Sequence, residues 1–598
     1  MLLKNLRFGI VFSVKTCFVV STHISLFIVL MSLISSLMPF LFAILNMHFI
    51  DSAIAFSLDN KSFLVVLIWI ILISLYLIIN YFYAIIYKLL HEKLGVKLRE
   101  KLNIEVITKT VKLKYQYIED SKSCDLINRI SDVQPHVQAT FTNIISIISL
   151  VITLCSVCSL FSNRIIWNLF FIIISCLPMI FVAFFEEKER YNILVKKSEI
   201  SRKSDYLEFG ILRNRECADE RTLFGFSDYF NDKFEQYFNS CIEFENKARR
   251  KWLLLSKLSC SLIIIVCFII LYDSVKDLKS GIITMGFFIS ITGGIIQLIG
   301  ILTNQTPSLV TNFVRMHSFF KEFQEFIKLD EYPIILKQSK YNEVQSIEFR
   351  NVFFKYPGTD KYVLENVSFT INKGQHMAIV GKNGSGKSTI TKLLLKLYDV
   401  DEGEILINGQ NIRQFRCEDI YRLFSVVHQD YAKYSISARD NIGIGDIENI
   451  DNIDDTKRII NAAKLSGISD DIDKLPHGYE TYFGKIFPEG VDLSGGQWQK
   501  IALSRSLMKK NSVKILDEPT AALDPLQESD LYHRYSKIAQ GNTTIFISHR
   551  LGSTKLADYI LLMDEGRVLG CDTHQKLMES NNLYSEMFTL QKEWYLDE

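Results

Sequence analysis

The sequence predicts an all-α membrane domain of six helices followed by a soluble α/β domain. Three observations carry that expectation. The first half holds six long stretches without a charged side chain, the second half alternates strands and helices with frequent glycine, and the composition changes after Arg315. Only 22% of the residues are charged, and 42 Phe stand against 10 Pro. A disordered chain would carry far fewer aromatics. Lys and Arg together number 67 against 66 Asp and Glu, so no cationic excess exists for neutralising nucleic-acid phosphates. The 11 Cys follow no CxxC repeat or secreted-domain spacing, which excludes a disulfide scaffold.

The charge-free stretches are Cys17–Ile50, Ser62–Tyr87, Val133–Asn163, Ile165–Phe185, Leu258–Tyr272 and Ser280–Val314. A helix needs ~20 mostly apolar residues to cross the hydrocarbon core. The fifth stretch is short, but Trp252–Ser256 precedes it and Lys257 can snorkel. The first is too long for a signal peptide, and no small-residue cleavage site follows it. Basic residues set the orientation. The connections 88–136 and 187–252 are rich in them, with Lys88, Lys93, Lys97, Arg99, Arg213, Arg215 and Arg221 among others, whereas the short connections hold only Lys61, Arg164, Lys276 and Lys279. Both long connections and both termini are therefore expected in the cytoplasm.

The helical pattern continues into those long connections, so spans two to five should extend beyond the bilayer and turn back near Tyr115–Glu119 and Leu212–Asp219. Twenty extra residues reach about 30 Å. The expected division is a transmembrane domain over 1–320, a connector over 321–345 and a second domain over 346–598. Polar side chains inside spans line pathways or bond neighbouring helices. Gln297 and Asn304, on the last span with Gly293, Gly294 and Gly300, are the candidates for lining a cavity.

In the second half, Ala378–Val380 reads as a strand end. Gly381-Lys382-Asn383-Gly384-Ser385-Gly386-Lys387-Ser388-Thr389 follows, and then the helical run Ile390–Leu397. That is G-x-x-x-x-G-K-S in the strand–loop–helix context of a phosphate loop. Its glycines let backbone N–H groups converge on phosphates at a helix N-terminus. Lys387 should reach the β- and γ-phosphates of ATP, and Ser388 should ligate Mg²⁺. The strand Ser512–Glu518 ends in two carboxylates: Asp517 is placed to hold Mg²⁺ and Glu518 to act as general base toward water. Lys514 interrupts the apolar run expected of a fully buried strand. Ser494-Gly495-Gly496-Gln497 precedes a helical run over Trp498–Met508, and Ser494 alone reads as a helix N-cap.

Taken together and in this order, these three motifs resemble those of the ATP-binding cassette (ABC) transporters, in the type I exporter arrangement with the membrane domain first. The resemblance covers nearly the whole chain and implies further roles. Tyr356, 25 residues before Gly381, would stack on adenine, with a core aromatic beside Phe353 and Phe354 as the alternative. Gln429 would contact Mg²⁺ and the attacking water, Asp524 would cross between subunits, and His549 would contact the γ-phosphate. The Ser494–Gln497 motif would complete the ATP site of the opposite cassette. One cassette per chain thus implies pairing, most simply a homodimer, with the turns near 115–119 and 212–219 as coupling helices for alternating access.

The segments His428–Tyr434, Asp440–Gly443 and Glu489–Lys500, including Gln497-Trp498-Gln499-Lys500, resemble the nisin-type lantibiotic exporters. That likeness implies a multi-pass protein of the plasma membrane exporting a ribosomally made, modified peptide. The chain departs from the T-x-x-G-E-x-G pattern of many exporters: Lys485 follows Gly484, and Glu489 comes later. About sixteen residues precede Cys17, too few for a folded protease domain, so a separate leader peptidase is expected beside the peptide-modifying enzymes. Cys17 itself reads as a packed thiol. A lipid or multidrug exporter is the alternative reading. A nucleotide-sensing membrane regulator or channel is a further one, against which Glu518 and His549 count.

Overall fold

The computed structural model describes residues 2–59, 63–159, 165–215, 217–332, 343–449, 453–509, 513–517, 541–547, 554 and 557–596. It divides into two compact units, Met1–Val111 with Lys122–Leu329, and Lys112–Ser121 with Asp330–Glu598. Residues 112–121, inside the first long connection, thus belong to the second unit.

The first unit is all helix. Helices α1 (Leu2–Val20) and α2 (Thr22–Asp59) are interrupted at Ser21, so the expected first span begins inside a separate leading helix. Serine offers the backbone alternative partners, and here the Ser25 hydroxyl bridges the break by donating to the Cys17 carbonyl at 2.9 Å. The Cys17 side chain is fully buried. Helix α3 (Phe63–Lys112) has 50 residues, about 75 Å of helix, far more than the ~30 Å hydrocarbon core. It leads to α4 (Tyr115–Glu119), α5 (Ser121–Arg129), α6 (Gln134–Cys158) and α7 (Ile165–Asp205). A π-helical turn over Tyr206–Leu212 ends α7, and α8 (Ala218–Phe224), α9 (Ser227–Lys279) and α10 (Met285–Ile327) follow. Among the described residues, five segments are long and apolar enough to cross a membrane: Thr22–Leu58, Phe63–Lys112, Gln134–Val157, Arg250–Lys279 and Met285–Ile327. The sixth expected span, Ile165–Phe185, lies on α7, part of whose side chains fall outside the description.

Helix α10 is anchored at both ends. At its start the Thr284 hydroxyl accepts from the Phe287 N–H, while the Asp51 carboxylate accepts from the Thr284 hydroxyl and the Gly286 N–H, both at 2.8 Å. A Cβ at Gly286 would overlap the Met47 carbonyl, so only glycine admits this approach. At its end Phe319, Phe320, Phe323 and Phe326 are buried, with Phe12 of α1 5.4 Å from Phe323 and His136 of α6 stacked at 3.9 Å on Phe319. Such aromatic pairs add ~0.5–1.5 kcal/mol each beyond area burial, which carries the helix to Ile327. Along its middle, Gly294, Leu298, Leu302 and Leu309 are buried, whereas Gly293, Gln297, Gly300 and Asn304 share the exposed face.

The second unit contains two sheets. Strands β1 (Ser346–Phe354), β2 (Leu364–Asn372), β4 (Glu402–Ile407) and β5 (Gln410–Asn411) form an antiparallel sheet in the order β2-β1-β4-β5. Strands β3 (His376–Gly381), β6 (Phe424–Val427), β7 (Val513–Asp517), β8 (Thr543–Ile547), β9 (Tyr559–Asp564) and β10 (Arg567–Asp572) form the other, in the order β10-β9-β3-β8-β7-β6. All its pairings are parallel except β9–β10. Parallel strands bury both faces, and alternate residues here feed two cores. Met377, Ile379, Ile515, Ile545 and Ile547 pack with the antiparallel sheet and α11 (Lys387–Leu394), whereas Ala378, Val380, Leu516 and Phe546 pack with Ala502, Leu503 and Tyr584. Helices α12 (Cys417–Leu423), α13 (Ala438–Gly443), α14 (Ile453–Ser466), α15 (Ser469–Asp473) and α16 (Gly495–Leu507) follow in sequence. Trp498 and Ile501 of α16 share a third core with Ala438, Ile442 and Ile459.

Candidate nucleotide site

In an open parallel sheet, ligands gather beyond the carboxyl ends of the strands. Those of β3, β8 and β7 are level, because Ile379 pairs with Ile547 and Ile547 with Asp517. With strands ~4.8 Å apart, Asp517 lies about 10 Å across the sheet from the strand that enters the phosphate loop.

The loop's shape follows from its glycines. Gly381 ends β3 at φ 154°, and a Cβ there would overlap the Met563 carbonyl oxygen. Gly386 caps α11 in the left-handed region at φ 96°, where a Cβ would lie 2.6 Å from Leu364 Cδ2. Asn383, Gly384 and Ser388 form an exposed rim, whereas Ser385, Lys387 and Thr389 are buried. The Lys387 ammonium donates to the Gly381 and Lys382 carbonyls, both at 2.9 Å. The Ser385 hydroxyl is buried and makes no hydrogen bond among the described residues. An orphaned hydroxyl beside a buried ammonium, at the N-terminus of α11, is a donor set suited to a triphosphate.

For Mg²⁺ the candidate donors are hard oxygens: the Ser388 hydroxyl, the Asp517 carboxylate, 5% exposed, and the Gln429 amide just beyond β6. No group of three or more His, Cys, Asp or Glu capable of holding a metal occurs among the described residues. Mg²⁺ needs no such group, since it binds through one or two carboxylates plus substrate phosphates. Glu518, Asp524 and His549 lie outside the described residues. The strands that precede Glu518 and His549 end at Asp517 and Ile547.

Tyr356 packs against the core on one side and stays partly exposed on the other. It is half-buried against Phe354 and Tyr398, with ring centroids 5.1 and 5.4 Å away, and its hydroxyl reaches the Thr389 hydroxyl on α11 at 3.1 Å. Ser494 is an N-cap: its Oγ accepts from the Gln497 N–H at 3.3 Å, and the Gln497 side chain accepts from the Ser494 N–H at 2.9 Å. Ser494 and Gly495 stand exposed at the start of α16. The Tyr431 hydroxyl donates to the Gly495 carbonyl at 2.9 Å. Arg505 on α16 donates to the Ala432 and Asn441 carbonyls and stacks over Tyr434, tying this helix to the segment after Gln429. Sequence reasoning missed Arg505, whose spacing resembles any helix-surface arginine. Glu489 pairs with His477 at 3.1 Å, and Lys485 faces Asp492 at 3.9 Å.

A phosphate loop at the centre of a parallel sheet, with a capped glycine-rich helix start in a chain of membrane-length helices, defines a membrane-embedded nucleotide-driven machine. The ABC transporter transmembrane region matches residues 25–189 and the ABC transporter cassette residues 364–521, together more than half of the chain. This chain belongs to the ABC transporter family: it is an exporter with transmembrane and ATP-binding domains that couples ATP hydrolysis to transport. Its fold is that of the type I exporters, matching a bacterial Atm1-family ABC exporter with ATP bound at TM-score 0.74, 23% identity and 98% of both chains. The subtilin transport ATP-binding protein SpaT of Bacillus subtilis is 29% identical over 96% of this chain and 92% of its own length. The nisin transport ATP-binding protein NisT of Lactococcus lactis subsp. lactis is 26% identical over 83% and 82%. An ATP-dependent lipid A-core flippase of Pseudomonas fluorescens is 28% identical over 85% and 81%.

Proposed function

We propose that this exporter carries a ribosomally made, modified peptide out of the cytoplasm, as a homodimer in the plasma membrane with its termini and cassettes inside. The observation that carries the reading is the likeness to the subtilin transport protein, which spans 96% of the chain and so includes the membrane half where cargo would be met. The exposed polar face of Gln297 and Asn304 on α10 supports a cavity between two copies. The flippase likeness favours a second reading, export of a lipid, on the same engine.

In the proposed cycle the Lys387 ammonium leaves the Gly381 and Lys382 carbonyls for the β- and γ-phosphates, and Tyr356 meets the adenine. Mg²⁺, when bound, neutralises phosphate charge. Ser388, Asp517 and Gln429 would hold it. Glu518 takes the proton of the attacking water, and His549 contacts the γ-phosphate. Ser494, Gly495, Gly496 and Gln497 of the second copy close over the triphosphate, with Asp524 between the copies. Clamping and parting of the cassettes then drive alternating access.

The test is ATP-dependent uptake into inside-out vesicles that carry the protein. A lanthionine-containing precursor peptide should accumulate with MgATP and not with ADP. Uptake of a lipid A probe without peptide uptake would transfer the assignment to the second reading.

A further inference from the structure

Lys392 lies on α11, five residues beyond the phosphate-loop lysine, and belongs to none of the motifs. Its ammonium is 2.9 Å from a Glu119 carboxylate oxygen and sits over three tyrosine rings, 5.2 Å from the centroid of Tyr356, 5.8 Å from Tyr115 and 5.9 Å from Tyr398. The other Glu119 oxygen accepts the Tyr398 hydroxyl. Tyr115 and Tyr398 meet edge to face at 5.7 Å, and Tyr356 and Tyr398 at 5.4 Å. The Tyr115–Glu119 turn is seated by further bonds within the same unit: Lys114 N–H to the Asp330 carbonyl at 3.2 Å and Tyr115 N–H to the Tyr332 hydroxyl at 3.1 Å.

One ammonium, carried by the phosphate-loop helix, therefore touches the loop after β1 that carries Tyr356, Tyr398 just beyond α11, and the turn that covalently follows the long helix α3. Desolvation works against both charges, yet the Tyr398 hydroxyl and the bond to Lys392 hold Glu119 below the usual carboxylate range, and the bond to Glu119 holds Lys392 above its usual value. The charge also reaches His428, the neighbour of Gln429, where it adds to desolvation in holding that imidazole low. A cation–aromatic contact fixes both partners' positions. The ring held by Lys392 is the one the adenine must meet.

We propose that Lys392 is a positioning residue which links adenine binding at Tyr356 to the seating of the Tyr115–Glu119 turn, so that each stabilises the other. This rests on the reading of Tyr356 as the adenine contact. The linkage runs through the base and not the phosphates, because Lys392 touches Tyr356 whereas the loop carbonyls are faced by Lys387.

Two probes separate those routes in the full-length protein: MgATP, and magnesium tripolyphosphate, which lacks the base. Glu119→Gln and Lys392→Met should each weaken ATP binding about 2- to 30-fold, the range of a partly desolvated cation–aromatic contact. Tripolyphosphate binding should stay within about twofold, which also reports that the variants are folded. The double variant should be no weaker than the worse single one, and Lys392→Arg should restore most of the ATP affinity. In the wild type, a non-hydrolysable ATP analogue should slow hydrogen exchange at amides 113–120, an effect lost in Lys392→Met. Unchanged ATP affinity in both single variants, equal loss for both probes, or additive losses would overturn the proposal. Tyr356→Ala with undiminished ATP affinity would instead remove the adenine reading itself.

Discussion

Lys514 shows what a single residue can contradict. It sits within β7, 7% exposed, in register with Thr544 and Ser425, and desolvation holds its ammonium below the ordinary value of 10.5. The Thr544 hydroxyl beside it is buried and has no hydrogen-bond partner among the described residues. Desolvation disfavours the charged form of a buried lysine, so Lys514→Met should be more stable than the wild type at pH 7. The pH dependence carries the sign. Between the lowered folded value and 10.5 the unfolded chain binds more protons, so wild-type stability should rise with pH across that window. The methionine variant should lack the rise. Thermal unfolding in detergent from pH 7 to pH 10 measures both, and parallel curves would refute the account. At Glu518 the expectation is kinetic: Glu518→Gln should bind MgATP as before and hydrolyse it at least ~100-fold more slowly. Near-normal turnover would strip it of the base role.

At the scale of elements, one variant separates the cap that α16 has from the triphosphate contact proposed for it. Ser494→Ala removes the capping box and should cost ~1 kcal/mol. Ser494→Asp keeps a good cap, so the melting temperature should hold, but its carboxylate would repel a triphosphate and ATPase activity should collapse. Activity that follows stability in both variants would leave Ser494 as a cap alone. Much of this level was readable beforehand. The phosphate loop and β7 announce themselves because apolar strand runs end in a glycine or in carboxylates, and the spans do so because long charge-free runs are rare elsewhere. The break at Ser21 was hidden, since a serine barely alters local hydropathy. The seat of Tyr115–Glu119 was hidden for another reason: Glu119 and Lys392 are 273 positions apart, and nothing local marks either as the other's partner. The pairing of Glu489 with His477 likewise depends on loop geometry that spacing does not encode.

For the whole molecule the question is which chain completes each ATP site. Lys387→Ala and Ser494→Asp chains should both be inactive alone. If the proposed homodimer is right, co-expression yields mixed pairs in which one site keeps an intact Lys387 from one copy and an intact Ser494 from the other. Measurable ATPase in the purified mixture is the expected result, and complete silence would argue that each chain builds its own site. The ten residues Lys112–Ser121 bear on this scale as well, because they sit with the cassette although they fall in the first half of the sequence. A soluble cassette cut out at Asp330 would leave them behind, stripping Tyr398 and Lys392 of Glu119 and baring an aromatic scar prone to clumping. A synthetic decapeptide of that stretch should heal the fragment, and the same peptide offered to the intact exporter would compete for the berth and throttle it.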